Sequence, residues 1–214
     1  SEIFGNTKIP QNEKTPFKPS SPYAISKLFA YWTVVNYREA YNIFAVNGIL
    51  FNHESEKRGA TFVTKKTTRA VADYYLGKNK VLYLGNLDAK RDWGSAKDYV
   101  KTMWLMLQQK KPTDYVIASG KSRSVRDFVN EAFGVIGVKI RWQGKGLNEV
   151  GIDTKTNKKI IKIDKYYFRP TEVFELRGDS SKAKRELRWK PQTSFKKMVE
   201  DMVNYDIEQA INNK

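Results

Sequence analysis

The sequence contains no cysteine and a single histidine, His53. These absences exclude a disulfide framework, a cysteine nucleophile, a thiolate metal site and the paired histidines of a zinc hydrolase, so no metal is expected. No apolar run approaches the roughly 18 residues of a membrane-spanning helix, and no signal peptide is visible. The expectation is a soluble, cytoplasmic protein with no membrane partner. Also missing is G-x-G-x-x-G, the turn that receives a dinucleotide pyrophosphate at the first strand of a nucleotide-binding sheet. Acidic residues are scarce, with 23 Asp and Glu against 39 Lys and Arg, which leaves a formal net charge of +16. Such a balance favours an anionic partner. The lysines are spread along the whole length, without a tight basic cluster or the aromatic-and-glycine signature of an RNA-binding sheet, so nucleic acid is not the expected one.

What is present reads as folded: 214 residues, 40% apolar and 13% aromatic, enough for one large domain or a domain with an attached lobe. Ser1-Glu2-Ile3-Phe4-Gly5 reads as the end of a strand and the start of a loop, an element that looks cut, so a fragment is expected. Pro10, Pro16, Pro19 and Pro22 make residues 6–22 a loop. An amphipathic helix over about 23–42 follows, with Leu28, Trp32, Val35 and Tyr41 as its apolar positions, then an apolar run at 43–50 suited to a strand buried on both faces. Further helices are predicted near 65–77, 94–110, 124–136, 180–187 and 195–212, and strands near 80–85, 114–119, 138–143 and 158–163. The Lys-, Asn- and Gly-rich stretch 144–170 is predicted to form an irregular hairpin. Alternating helices and strands argue for an α/β fold whose parallel sheet continues upstream of Ser1.

Within Pro22-Tyr23-Ala24-Ile25-Ser26-Lys27, the phenol and the ammonium stand four residues apart at the head of the first helix and project from one face. A tyrosine is a weak base near neutral pH, but an adjacent lysine favours its ionised form. Tyr23 is therefore a candidate acceptor for the proton of a sugar or alcohol hydroxyl.

Tyr-x3-Lys before a helix and a buried strand resembles the extended short-chain dehydrogenase/reductase superfamily. Further blocks sharpen the resemblance: Ser1 to Gly5, Ser21-Pro22-Tyr23, Val46 to Ser55, Gly85 to Gly94 and Phe168-Arg169-Pro170-Thr171-Glu172-Val173 all resemble the GDP-mannose 4,6-dehydratase family, in its order and over nearly the whole chain. The resemblance implies the second half of a doubly wound, Rossmann-like parallel sheet with a smaller, discontinuous substrate-binding lobe, mainly about 54–80 and 121–214. It implies NADP as cofactor, GDP-mannose as substrate and a homo-oligomer, dimer or tetramer.

The family reaction oxidises C4 of mannose by hydride transfer, eliminates water across C5 and C6, and returns the hydride to C6. By resemblance, Tyr23 takes the C4 hydroxyl proton while Lys27 supports it and binds the nicotinamide ribose, and Glu2 removes the C5 proton. His53 and Arg58 would touch the dinucleotide, and Asn52 the sugar nucleotide. Lys66, Arg91 and Arg169 would surround the GDP diphosphate, with Glu172 accepting from ribose or guanine. The hydroxyl residue that assists loss of the C6 hydroxyl in the family lies just before Ser1, and Ser1 does not take its place. Two departures stand out: Ile25 is larger than the small residues usual between Tyr and Lys, and the chain is richer in lysine than the family. The alternatives are another nucleotide-sugar dehydratase or epimerase and a catalytically inactive basic binding module. Without the glycine-rich turn, the 214 residues alone are expected to be inactive.

Overall fold

The computed structural model of the chain describes residues 1–168 and 171–212. In chain order its elements are α1 (Pro22–Tyr41), β1 (Gly48–Leu50), β2 (Asn52–Glu54), α2 (Val63–Tyr75), β3 (Leu82–Leu84), β4 (Lys90–Ser95) and α3 (Ala96–Leu107). They continue with β5 (Tyr115–Ile117), β6 (Ser122–Ser124), α4 (Val125–Val135), β7 (Ile140–Gln143), β8 (Val150–Asp153), β9 (Lys159–Ile163), α5 (Ser181–Leu187) and α6 (Phe195–Asn212). Two compact units divide the chain. The first comprises Ser1–His53, Lys90–Arg123 and Val173–Ser194, and the second Glu54–Ala89, Ser124–Glu172 and Phe195–Lys214.

In the first unit, β1 pairs in parallel with β5, Gly48 beside Tyr115 and Leu50 beside Ile117. α3 lies between these strands in the sequence and packs on β5, as in a strand–helix–strand crossover. One buried cluster joins Ile3, Phe4, Ile49, Phe51, Val116 and Leu176, with Phe17, Leu28 and Tyr31 packed against it. A second centres on Tyr99, Tyr115, Ile117, Leu187 and Trp189. α1 starts where its sequence says it should: Ser21 caps it, accepting from the Ala24 amide at 3.1 Å, and Pro22 fills a position that needs no N–H donor. Asn42, left-handed at φ 51°, ends it.

The second unit holds a four-stranded sheet in the order β3–β9–β8–β7, with β3 and β9 parallel and the other pairs antiparallel. α2, α4 and α6 pack on one another beside it. α4 opens with a reciprocal capping box between Ser124 and Asp127. Within the stretch expected to form an irregular hairpin, β8 and β9 form an ordered antiparallel pair with a register shift at Gly151/Ile152.

Three expectations about the first unit are corrected. Residues 1–5 form a tight 3₁₀ turn rather than a strand end, with the Phe4 amide donating to the Ser1 carbonyl at 3.0 Å. Gly5, at φ +55°, makes the turn possible, because a Cβ there would collide with the Lys18 carbonyl. Of the expected strand 43–50 only Gly48–Leu50 forms, and Ile43 and Phe44 are exposed. Its ladder partner begins only at Tyr115, and the Asp114 carboxylate instead binds the Asn47 amide at 2.8 Å and the Arg38 guanidinium at 2.7 and 3.1 Å. α1 is also less amphipathic than its pattern: Ala24 is its buried residue, Leu28 is partly covered, and Trp32 and Tyr41 are exposed. Among the described residues, no helix is long and apolar enough to cross a membrane, and no group of His, Asp and Glu could hold a metal ion.

Candidate active site

In the first unit Glu2 and Asn52 adjoin members of one buried cluster, which includes Ile3, Phe4 and Phe51. Ile3 and Phe4, 6% and 0% exposed, anchor the turn that carries Glu2, and this turn packs against α1. The ring centroids of Phe4 lie 5.6 Å from Phe17 and 6.0 Å from Phe51. Tyr23 sits in the first turn of α1, 59% exposed, and the Lys27 ammonium lies 5.7 Å from its ring centroid. The i,i+4 spacing thus brings phenol and ammonium together on an accessible face. The Ser26 hydroxyl donates to the Tyr23 carbonyl at 2.8 Å, which tightens this turn.

Arg91 is not a solvent-facing cation. It is buried on β4, its Nη1 donates to the Val173 carbonyl at 2.7 Å and the Lys90 carbonyl at 2.9 Å, and its Nε lies 3.8 Å from Glu2 Oε1. Its neighbour Asp92, fully buried, accepts from the Ser119 amide and hydroxyl and from the amides of Gly120 and Gly178. Burial still raises the Asp92 carboxyl above the ordinary range, against the pull of these donors.

β1 leads into Asn52 and His53 of β2. His53 Nδ1 lies 2.9 Å from the Phe51 carbonyl, which makes Nδ1 a donor. Its ring stacks on Tyr99, with centroids 5.0 Å apart. Tyr99, not among the residues singled out from the sequence, is fully buried, and its ring lies so close to Gly94 that a Cβ there would collide with it. Burial, with Asp92 and Asp98 nearby, pushes the Tyr99 phenol well above its usual range. Asn52 Oδ1 is buried and has no hydrogen-bond partner among the described residues. Such an orphaned acceptor suits a hydroxyl or amino donor from a ligand.

In the second unit Arg58 lies 3.1 Å, through Nε, from the buried Glu54 carboxylate, and its guanidinium stacks 3.6 Å from the Phe62 ring centroid. Burial raises the Glu54 carboxyl above the ordinary range despite Arg58 and the Thr64 hydroxyl, which donates to it at 2.7 Å. Lys66 donates to the Tyr83 carbonyl at 2.6 Å and lies over the Tyr167 ring at 3.4 Å. Glu172 is partly buried, and Arg169 lies outside the described residues. Glu54, Phe62 and Thr64 were not predicted from the sequence. The only signal available was a carboxylate four residues before an arginine, a spacing that many solvent-exposed pairs share.

The family model described as GDP-mannose 4,6 dehydratase matches residues 1–202. The chain is 58% identical to the human GDP-mannose 4,6 dehydratase over 209 residues, covering 97% of this chain and 56% of that protein. It is 57% identical to the GDP-mannose 4,6-dehydratase of Sinorhizobium fredii, covering 97% of this chain and 59% of that protein. The chain therefore spans rather more than half the length of these curated relatives. Among solved structures it resembles RMD from Pseudomonas aeruginosa complexed with NADPH, with a TM-score of 0.79 at 18% identity, covering 97% of this chain and 64% of that one. It also resembles the dTDP-glucose 4,6-dehydratase of Bacillus anthracis in complex with NAD, with a TM-score of 0.77 at 19% identity, covering 98% of this chain and 60% of that one. At these identities the two structures establish the shared fold.

Proposed function

The chain belongs to the GDP-mannose 4,6-dehydratase family, and from that premise we propose that the full-length protein converts GDP-mannose to GDP-4-keto-6-deoxymannose with NADP as cofactor. The observation that carries the reading is the grouping of Glu2, Tyr23 and Lys27 in one unit, the turn bearing Glu2 packed on the helix that bears the other two. A simple dehydrogenase or epimerase needs only the tyrosine and lysine. A carboxylate beside them adds what elimination needs.

NADP, when bound, would supply the hydride acceptor for C4 and the hydride donor for C6. Tyr23 accepts the C4 hydroxyl proton, and the Lys27 ammonium favours the negative charge that develops on the phenol oxygen while binding the nicotinamide ribose. With C4 a ketone, the C5 proton is acidic. Glu2 removes it as the C6 hydroxyl, protonated by a second acid, leaves as water, and the proton on Glu2 returns to C5 when hydride reaches C6. Arg91, held by two carbonyls, is better suited to orient Glu2 than to bind phosphate directly. The orphaned Asn52 Oδ1 fits a donor on the sugar nucleotide. His53 and Arg58 are assigned to the dinucleotide, and Lys66, Arg169 and Glu172 to the GDP moiety, in a substrate lobe drawn mainly over about 54–80 and 121–214. Exposed Phe29, Trp32, Tyr37 and Tyr41 on α1 support a homo-oligomer, dimer or tetramer.

Product analysis of the full-length protein with NADP tests the proposal against its rivals. GDP-mannose should give the 4-keto-6-deoxy sugar, and UDP-glucose and dTDP-glucose should give none. Dehydration of another nucleotide sugar, or epimerisation without loss of water, would assign the protein to a relative. Salt-sensitive nucleic-acid binding with no affinity for GDP-sugar would indicate a binding module.

A further inference from the structure

A buried ion pair in the second unit takes no part in the chemistry above. Lys65 on α2 and Asp206 on α6 are 8% and 6% exposed, stand 141 residues apart in sequence, and are hydrogen-bonded to each other. The Thr68 hydroxyl donates to the second Asp206 oxygen at 2.6 Å, and the Tyr205 ring faces the Lys65 ammonium at 5.0 Å. Two packed helices need no buried charge for stability, since an apolar pair of similar volume commonly serves as well or better. The informative contact is the third one made by Lys65. Its ammonium donates to the backbone carbonyl of Glu56 at 2.8 Å.

Glu56 lies in the short loop between β2 and α2 that carries Arg58. Within that loop the Arg58 amide donates to the Ser55 carbonyl at 3.0 Å, and the Arg58 side chain is held by Glu54 and Phe62. The guanidinium is thus fixed at its side chain by one set of contacts, and its backbone is tied by another. Helix propensity or core packing would be met by any apolar residue at position 65. A lysine that reaches out of α2 to one carbonyl, with its charge balanced from α6, is suited to setting the position of the loop.

We propose that Asp206 and Lys65 are positioning residues for Arg58: Asp206 orients Lys65, Lys65 pins the Glu56 carbonyl, and the pinned loop presents Arg58 to the dinucleotide. This rests on the cofactor assignment of Arg58 made above. The device places a determinant of cofactor affinity on the C-terminal helix, which carries none of the residues assigned to the cofactor.

The test uses the full-length protein with Lys65→Met and Asp206→Leu combined, a change that removes both charges together and keeps the helices packed. Three quantities are read: hydrogen exchange of the 54–60 backbone, the Kd for NADP and the Kd for GDP. The proposal expects faster exchange in 54–60, an NADP Kd raised about three- to tenfold and an unchanged GDP Kd. In an Arg58→Ala background the pair variant should add no further loss of NADP affinity, because its effect passes through Arg58. Lys65→Arg, which can still reach the carbonyl, should restore most of the affinity. Asp206→Asn is the milder variant should the pair fail to fold, and should shift the same quantities less. Unchanged exchange in 54–60, or NADP losses that simply add to those of Arg58→Ala, would overturn the proposal. If Arg58→Ala alone leaves NADP binding intact, the cofactor assignment of Arg58 falls and the functional half of the inference with it, while the exchange rates still decide whether the brace exists.

Discussion

The two units hold their candidate site residues in different ways. In the first, Tyr23 is exposed with Lys27 beside it, while Phe4 under the Glu2 turn, Tyr99 behind His53 and Arg91 near Glu2 are buried. In the second, the cations expected to bind ligand are themselves held, Arg58 by Glu54 and Phe62, and Lys66 by the Tyr83 carbonyl and the Tyr167 ring. A proton acceptor needs an open approach to its substrate, whereas a binding cation on a long side chain gains from losing its rotamer freedom before the ligand arrives. The contrast separates residues proposed to react from cations whose side chains are already held in place.

The largest effect expected to sharpen this contrast is on turnover. In the full-length protein Tyr23→Phe and Glu2→Gln should each lower kcat by about 10²–10⁴. Exposed Tyr23→Phe should leave the melting temperature unchanged, and Glu2→Gln, beside buried Arg91, should lower it far less than it lowers kcat. A fall in kcat matched by a fall in stability would mean that these residues are structural. Next comes the support beneath them. Phe4→Ala should cost about 3–5 kcal/mol in denaturant melts as a buried ring is lost, while Phe29→Ala, at a site 74% exposed, should stay within about 0.5 kcal/mol.

The pH dependence should separate two carboxylates, Asp114 and Glu54. Burial pushes the Asp114 carboxyl up, but the Arg38 guanidinium and the Asn47 amide outweigh it and hold the group below its ordinary value. A depressed carboxylate contributes stability above its unfolded pKa, about 3.9, and loses it as pH falls through the folded value. The wild type should therefore show an acid limb that Arg38→Leu diminishes. Glu54 has the opposite sign: raised by burial, it contributes most below its unfolded pKa and loses that contribution as pH rises through its folded value. Melting temperatures of Glu54→Gln across the same range should lack this second slope. The smallest effect is expected at the helix start, where Ser21→Ala removes the cap that accepts from Ala24 and should cost about 1 kcal/mol.

Local features were legible in the sequence. The Tyr23–Lys27 spacing and the run of helices depend on residues within a turn or two of each other, and the structure places them near where the pattern does. Long-range polar pairs were not legible. Nothing near Lys65 announces Asp206, and nothing near Arg91 announces Glu2, because a buried charge and a solvated one look alike in a chain with 39 Lys and Arg. β4 escaped for the same reason: Lys-Arg-Asp-Trp-Gly-Ser reads as a polar loop, yet its Arg91 and Asp92 are buried with their partners supplied from elsewhere in the first unit. The over-long strand at 43–50 is the reverse error, an apolar run without a partner along most of its length.

The central claim is that Tyr23 and Glu2 divide the work, one for oxidation at C4 and the other for elimination. The most direct test follows the absorbance of reduced nicotinamide when GDP-mannose is added to the NADP-loaded full-length protein. Glu2→Gln should accumulate the reduced cofactor, because hydride leaves C4 but water is not lost, and Tyr23→Phe should show almost none. Equal accumulation in both variants, or normal product from Glu2→Gln, would contradict the division.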